Sequence, residues 1–566
     1  MAILGIDLGT TNSLGAIFRN NKVEFIPNSL GQIYTPSVVA VTPEGDIVTG
    51  AIAREMMITS PKNSVAEFKQ FMGLPKNIEL GKYSFSPEEL SSFIISSIVE
   101  DAKKYLGEDI NDVIISVPAY FHDSQRKATR KAGALAGVNV LRIINEPSAA
   151  ALSSYLDRRV EELFLVFDFG GGTLDISIVD CFDTMVEIVG ISGDTIGGKD
   201  IDLLVAKDFL REHNLSMDDL SVDYQKKAIR SAERCKINLT DKKSVEMSLV
   251  IRNKEYVSTF DNERMITICK PIFAKMKVVM ERCFKSSGLR ANNISKVILA
   301  GGSSNMPVVQ LYIKLLFKDT PIICKNSNDM IAKGLGVYTG IMQRYKEVSD
   351  YVMTDICPFS LGTQVVNKND ADNDYMSVII PKNSVLPISR TERYQTVNDN
   401  QKNIRYKVLQ GEHVYANQNR VIGILDVPVP KNKAGEEKVD ITYTYDLDGI
   451  LIVKAYVVST GKTYQLILAS ELTDEEIQKK TKQLHEMKLD NRDSDVVKYI
   501  KTKLDSIYQE IDSDRQPVIM SYMRDYEDIL SSGDKITKLK FEKFITQLIN
   551  DYEHYDPFEL TDPFEE

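Results

Sequence analysis

The chain has 566 residues, with 69 basic and 80 acidic side chains and a formal net charge of −11. At about 150 residues per domain, this length predicts three or four domains and excludes a single compact module. With 43% hydrophobic and 26% charged residues the chain can bury sizeable cores, which excludes broad disorder, and the acidic balance argues against a nucleic-acid partner.

The acid is concentrated in the tail. Residues 471–566 hold 24 acidic and 14 basic side chains, so residues 1–470 are close to neutral. No apolar run approaches the roughly 18 residues of a spanning helix. The opening MAILGIDLGTTNS has no basic stretch ahead of an apolar one, so no membrane association is expected and the expected compartment is the cytoplasm. Six cysteines, at 181, 235, 269, 283, 324 and 357, include no CxxC pair and are expected to be reduced.

From residue 1 to about 345, short β-branched runs alternate with helical periods, as in an α/β unit. Ile3–Asp7, Val113–Val117, Phe164–Asp168 and Val297–Ala300 are the buried-strand candidates. ILGIDLGTTNS at 3–13 and LFLVFDFGGGTLDIS at 163–177 share a strand, an Asp, a Gly turn, a Thr and a second strand. Their wide spacing predicts a duplicated subdomain.

From Cys357 to about Leu468 the pattern changes to short alternating stretches with turns at Asp448-Gly449 and Thr460-Gly461-Lys462, which predicts a β-sandwich. Thr473 and Glu476 form a capping box that starts a helix. Val497, Ile500, Leu504, Ile507 and Ile511 mark one helical face, and Ile536, Leu539, Phe544, Leu548 and Tyr552 another. After residue 550 the chain has seven acids and no base, and a frayed end is expected.

Two strand-Asp-Gly turns facing each other can hold a polyphosphate through backbone N–H groups, because glycine lets the main chain approach closely. Asp7, Gly9, Thr10 and Thr11 pair with Asp168, Gly170, Gly171, Gly172 and Thr173, and ILAGGSSNMP at 298–307 supplies a third loop. An isolated GGGT is commonly only a turn; three such loops together are hard to explain that way. The absence of GxxxxGK[ST] and of a helix-opening GxGxxG disfavours P-loop and Rossmann sites.

The strings IDLGTTNS, ISVPAYFHDSQRKATRKAGALAGV, RIINEPSAAAL, VFDFGGGTLDIS, GDTIGGKD, LAGGSSNMP and SLGTQ occur in order between residue 1 and about 475. This set resembles the seventy-kilodalton heat-shock chaperones, the DnaK family, and the short C-terminal region is similar to its HscC-type bacterial members. The resemblance implies a multidomain fold. An actin-like α/β ATPase domain with duplicated subdomains (1–348) is followed by a linker (349–356), an antiparallel β-sandwich that binds peptide (357–471) and a shortened α-helical lid with an acidic tail (472–566). It implies an ATP-dependent molecular chaperone that binds extended apolar segments of unfolded or specific client proteins, with hydrolysis switching affinity.

By the same resemblance Asp7, Lys69, Glu146, Asp168, Thr173 and Asp175 are catalytic, and Asp7 and Asp168 hold magnesium through water. Gly9, Thr10, Thr11, Asn12, Gly170, Gly171, Gly172, Gly197, Gly198, Glu233, Lys236, Thr240, Gly301, Gly302 and Ser303 bind nucleotide. Val366, Tyr394, Val397, Gln401, Ile404 and Tyr406 surround the peptide, and Pro118, Arg126, Arg142, Asn145 and Asp355 couple the domains. ATP, magnesium and a potassium ion are the implied cofactors. A J-domain co-chaperone is the implied partner, a nucleotide exchange factor is left open, and no nucleic acid or membrane is expected.

This sequence departs from the family pattern at several of these places. Ile237 and Asn305 stand where many members carry arginines against the base, and Lys199 replaces an acid, so weaker nucleotide retention is expected. Ile404 and Tyr406 are bulkier, and Val366 shorter, than common residues there, which predicts a narrower choice of clients. Thr354 breaks an apolar linker and puts its docking strength in doubt. Cys235, between Arg234 and Lys236, reads as a buried filler before it reads as a reactive thiol. The competing readings are a small-molecule kinase of the actin-like superfamily, which leaves the β-unit and tail unexplained, and a non-enzymatic ATP-binding scaffold.

Overall fold

The computed structural model describes residues 2–155, 161–252, 254–324, 327–366, 374–446, 450–468, 474–486, 495–510 and 516–553. Two six-stranded sheets build the N-terminal unit. In the first, Ile3–Asp7 pairs antiparallel with Asn12–Arg19 and, on its other side, parallel with Asp112–Val117. In the second, Glu162–Phe169 pairs antiparallel with Leu174–Phe182 and parallel with Lys296–Ala300. The repeated hairpin with a parallel neighbour is the tertiary form of the internal echo, and each hairpin turn carries one Asp-Gly-Thr string.

All four strands expected from apolar runs are present. Helices pack on these sheets, so parallel strands bury side chains on both faces and read as unbroken apolar runs. Val113, Ile114 and Ile115 in one sheet and Val297, Ile298 and Leu299 in the other are fully buried accordingly.

The segment expected as the interdomain linker is built into the N-terminal unit. Val352–Thr354 is a parallel edge strand of the second sheet, registered on Met185–Glu187, and the Val352 N–H donates to the Thr184 carbonyl at 2.8 Å. The Thr354 hydroxyl is buried without a hydrogen-bond partner among the described residues. Backbone pairing does not depend on side-chain polarity, so the strand docks despite the threonine.

Residues 361–468 form two stacked four-stranded sheets. One has the order Tyr375–Ile380, Leu361–Val365, Asn403–Gln410, Arg420–Pro428; the other runs Ile388–Gln395, Lys438–Tyr445, Leu451–Val457, Lys462–Leu468. Alternation sets the shared core: Val439, Ile441, Tyr443 and Tyr445 point inward from one strand and meet Val408 and Val427 from the other sheet. Gly461 takes φ +68° in its turn, whereas Asp448-Gly449 lies outside the described residues.

Among the described residues four tail helices follow, Asp474–Glu486, Asp495–Glu510, Gln516–Ser532 and Lys535–Glu553. The expected capping box at Thr473 and Glu476, Ile511, the Tyr552 side chain and the acidic end lie outside what is described. Ile500, Leu504 and Ile507 are core residues as expected. The second expected face is rotated: Ile536 and Leu539 are 70% and 57% exposed and Phe544 is exposed, while Ile545, Leu548 and Ile549 join the core with Phe541 packed against it. Residues 541, 545, 548 and 549 keep the i, i+4, i+7, i+8 spacing of one helical stripe.

These helices were expected as a lid over the sandwich groove; here the first two pack on the N-terminal unit. Leu484 enters the core of its first lobe, Lys480 pairs with Glu89 at 2.8 Å, and Tyr499 packs against Val38, Ile52 and Met56. Lys503, 2% exposed, donates to Glu55 Oε1 at 3.1 Å, and Arg230 of the second lobe approaches Glu55 Oε2 at 3.7 Å. One buried carboxylate thus joins three parts of the chain.

Removing one partner of a buried ion pair leaves the other charge desolvated, at about 3–5 kcal/mol. Lys503→Ala is therefore expected to release the Asp495–Glu510 helix and deprotect the Gly50–Thr59 helix in hydrogen exchange. The double variant Glu55→Met, Lys503→Met should restore most of that protection. Unchanged exchange in Lys503→Ala would show that the pair does not hold the helices.

Candidate functional site

The two hairpin turns and the loop after Lys296–Ala300 converge on a cavity of about 580 Å3. Gly301 has φ +79°, and a Cβ there would stand 2.5 Å from Asp168 Oδ1, so only glycine lets the third loop close on the second. At Gly198 a Cβ would meet Ser303 Oγ at 2.2 Å. Ser303 Oγ donates to the Gly170 carbonyl at 2.9 Å, which locks the loops together.

Asp7, Gly9, Thr10, Thr11, Asn12, Lys69, Glu146, Asp168, Gly170, Gly171, Thr173, Glu233, Lys236, Thr240, Gly301, Gly302 and Ser303 all line this cavity. The remaining expected residues stand behind it. Gly172 faces Thr10, Gly197 abuts Gly171, Gly198 N–H donates to the Gly170 carbonyl at 2.9 Å, and Asp175 is buried. Sequence reasoning missed Tyr34, Arg54, Asp202 and Asn328, which also line the cavity. Tyr34, Arg54 and Asn328 come from segments without a glycine-turn signature, whereas Asp202 lies one turn into the helix that the Gly197-Gly198 pair opens, a signal that could have found it.

Lys69 donates to Glu146 Oε1 at 2.9 Å, both side chains buried, and Ser116 Oγ donates to Asp7 Oδ1 at 2.7 Å. Burial and then Glu146 push the Asp7 carboxyl up to about 6. The same causes hold Asp168 and Asp175 well above the usual carboxylate range, and both Asp175 oxygens are buried without a hydrogen-bond partner among the described residues. Four carboxylates around one ammonium leave an excess of buried negative charge. Such a set fits a hard cation that keeps part of its water shell, as magnesium does.

On the opposite side Lys236 pairs with Asp202 at 2.7 Å and donates to the Gly198 carbonyl at 3.2 Å. Ile237 is 54% exposed in the cavity wall. Asn305 is held by its own loop: its amide donates to the Gly302 carbonyl and to Asn328 Oδ1, each at 3.2 Å, and accepts from Ser327 Oγ at 2.7 Å. Neither offers the planar cation of an arginine. Lys199 forms an ion pair with Glu67 across the cavity mouth. Burial pushes the Cys235 thiol up to about 12, so it is an inert filler.

The expected coupling residues gather in one network. Arg126 donates to Asn145 Oδ1 at 2.5 Å and to the Ala119 carbonyl, the residue after Pro118, at 3.2 Å. Asn145 Nδ2 and Ser148 Oγ donate to Asp355 Oδ1 at 2.7 and 3.0 Å. Arg142 bonds the Tyr338 hydroxyl and, with Arg126, counters the burial that raises the Asp355 carboxyl. In the sandwich Tyr394 and Tyr406 rings meet at 5.9 Å, Ile404 is half-buried, and Val366 and Val397 are about half exposed. Gln401 is turned on its own loop, accepting from Val397 and Asn398 N–H at 3.0 and 3.3 Å and donating to the Asn403 carbonyl at 2.9 Å.

His122, at the start of the Asp123–Leu135 helix, stacks on Phe359 of the sandwich with centroids 4.4 Å apart. Burial, then the nearby Arg420, hold its imidazole below the ordinary value. A lowered pKa in the docked state means docking is strongest above the free value of about 6.5 and weakens as pH falls through the docked value. Energy transfer between probes on the N-terminal unit and the sandwich should fall between pH 7 and 5, and His122→Gln should flatten that profile. An unchanged profile in the variant would remove His122 as its cause.

The geometry agrees with what comparison to known proteins finds. The Hsp70 protein family model matches residues 3–78 and 75–548. The chain is 35% identical over 517 residues to the chaperone protein dnaK of Cyanidium caldarium, covering 84% of this chain and 82% of that one. It is 33% identical over 600 residues to the chaperone protein dnaK of Guillardia theta, covering 98% and 92%. These relatives do not place it in the HscC-type subclass, and nothing among them points to the kinase reading. The chain belongs to the Hsp70 family, whose members are ATPases and ATP-dependent chaperones of client proteins.

Proposed function

We propose that the chaperone hydrolyses ATP in the cavity between the two hairpin turns and passes the state of that site to the sandwich through Asp355. The observation that carries this reading is the chain of hydrogen bonds from Asp355 to Asn145, whose neighbour Glu146 holds Lys69. A change that moves the Glu146 backbone moves the partner of the linker aspartate with it.

In this reading the glycine loops cradle the phosphates with backbone N–H groups. Lys69, fixed by Glu146, presents a point positive charge to the transferring phosphoryl group and helps place the attacking water. Thr173 stands beside the terminal phosphate, and Asp7 and Asp168 orient the water shell of magnesium, which when bound neutralises phosphate charge. The unpaired oxygens of Asp175 support a potassium ion as a second cation. Arg142, partly exposed and close to the buried Asn145–Asp355 pair, is the point at which a J-domain co-chaperone would bias the linker. Six free cysteines, five of them buried, suit a reducing compartment such as the cytoplasm.

ATP turnover measured with and without an unfolded peptide tests the reading. Peptide is expected to raise turnover and to emerge unphosphorylated. In Asp355→Asn an amide replaces the acceptor of Asn145 and Ser148, and most of the stimulation should be lost. Wild-type stimulation in this variant would sink the coupling role, and a phosphorylated product would return the kinase reading.

The missing arginines lead to a second expectation. Stacking of a guanidinium on an aromatic face is worth roughly 0.5–2 kcal/mol, so the double variant Ile237→Arg, Asn305→Arg should slow ADP release by about 10-fold. Stopped-flow displacement of a fluorescent ADP would read this, and unchanged release would contradict it.

A further inference from the structure

The last described helix, Lys535–Glu553, turns an apolar stripe to solvent. Ile536 is 70% and Leu539 57% exposed, and Val496, at the start of the Asp495–Glu510 helix, is 40% exposed. Beside them lies an open groove of about 350 Å3, lined by Val496 and by Leu539, Lys543, Thr546, Gln547 and Asn550. Residues 539, 543, 546 and 550 follow at i, i+4, i+7 and i+11, so the groove runs along one side of the helix toward its C-terminal end, and Ile536 extends it by one turn the other way.

The same helix is basic where the stripe is most apolar. Its first nine residues hold Lys535, Lys538, Lys540 and Lys543 against one acid, Glu542. Glu542 is already engaged, accepting from the Tyr526 hydroxyl at 2.7 Å and pairing with Lys538 at 3.6 Å. Lys535, Lys540 and Lys543 make no ion pair among the described residues. A face kept only for solubility needs the lysines but not the isoleucine and leucine between them; apolar area rimmed by charge marks a surface that something covers.

The sequence after Glu553 has the complementary composition. HYDPFELTDPFEE, residues 554–566, holds five acids and no lysine or arginine, and it repeats Asp-Pro-Phe-Glu at 556–559 and 562–565. Phe558 and Phe564 lie six residues apart, about 20 Å in an extended chain. The helix rises about 21 Å from Ile536 to Asn550. Pro557 and Pro563 favour extended backbone at and before themselves.

We propose that residues 556–566 dock antiparallel on this groove as an acidic segment with two aromatic anchors. Phe558 falls at the Gln547–Asn550 end, close to where the helix stops, and Phe564 reaches the apolar end at Ile536 and Leu539. There Asp562, Glu565 and Glu566 meet Lys535, Lys540 and Lys543. The face is thereby held by the chain's own segment until a competing acidic, aromatic peptide displaces it. None of these residues lies in the ATP cavity or the sandwich, so the docking stands apart from the proposed ATP cycle.

The chain contains no tryptophan, so Phe564→Trp in the full chain supplies a single indole at the second anchor. Its emission should be blue-shifted relative to a free synthetic 554–566 peptide carrying the same substitution, equally at every protein concentration. Leu539→Asp and Ile536→Ser, both at exposed positions, should each move it back toward the free value. In anisotropy titrations the full chain with Phe558→Ala and Phe564→Ala, whose groove is vacated, should bind a labelled 554–566 peptide at least about 10-fold more tightly than the unaltered chain, in which the tethered segment competes. Adding Lys540→Glu and Lys543→Glu should weaken that binding by about 5-fold. A blue shift that grows with protein concentration, with dimers in sedimentation, gives the groove to the segment of a second copy and overturns docking within one chain. A shift that survives both Leu539→Asp and Ile536→Ser, or emission at the free value with no peptide binding to the vacated chain, overturns the site.

Discussion

The hydrogen bond between Asn145 and Asp355 is the contact on which the rest of this arrangement depends. Asn145 ends the edge strand Asn139–Asn145 of the first sheet, and Glu146, the next residue, opens a helix and holds Lys69. One peptide unit therefore joins the partner of Asp355 to the partner of the buried Lys69. Arg126 closes the network from a neighbouring helix, so a buried carboxylate that burial alone would tend to protonate is supported by two donors and nearby positive charge. Because each group satisfies the next, displacement of one leaves buried polar atoms unpaired, and such networks change state as a unit.

The linker strand extends this control to the backbone. Val352–Thr354 completes the second sheet, so the sandwich is tied to the N-terminal unit by main-chain pairing as well as by Asp355 and the His122–Phe359 stack. The tail helices add a second attachment. Lys503 and Arg230 share Glu55, and Lys227 of the second lobe donates to the Gln509 carbonyl at 3.2 Å. The helical unit thus touches both lobes of the N-terminal unit. A buried carboxylate with two cations specifies this arrangement more than it stabilises it, since most of the Coulomb gain is offset by desolvation.

The cavity between the hairpin turns follows similar physics with the sign reversed. Asp7, Glu146, Asp168 and Asp175 surround one lysine, and burial holds three of the four carboxyls above their ordinary range. The site is set for cations and closes around them by glycine contacts between loops that lie far apart in sequence. Fold and site meet here, because the hairpin turns of the two sheets supply the glycine loops that line the cavity.

Much of this was determined by the sequence alone. Unbroken apolar runs marked the buried strands, because strands covered on both faces show no alternation, and the repeated Asp-Gly-Thr string located both hairpin turns. The alternating stretches after Cys357 marked the sandwich. Helical faces were less legible: Ile536 and Leu539 fit a period but face solvent, since several registers of an amphipathic helix satisfy the same spacing and packing selects one. Only the tertiary structure brought Tyr34, Arg54 and Asn328 to the cavity, turned Gln401 onto its own loop, made the linker a strand and set the tail on the N-terminal unit. Local pattern determines which element forms. Which distant charge finds Glu55, and which hydroxyl is left without a partner, depends on contacts between segments hundreds of residues apart.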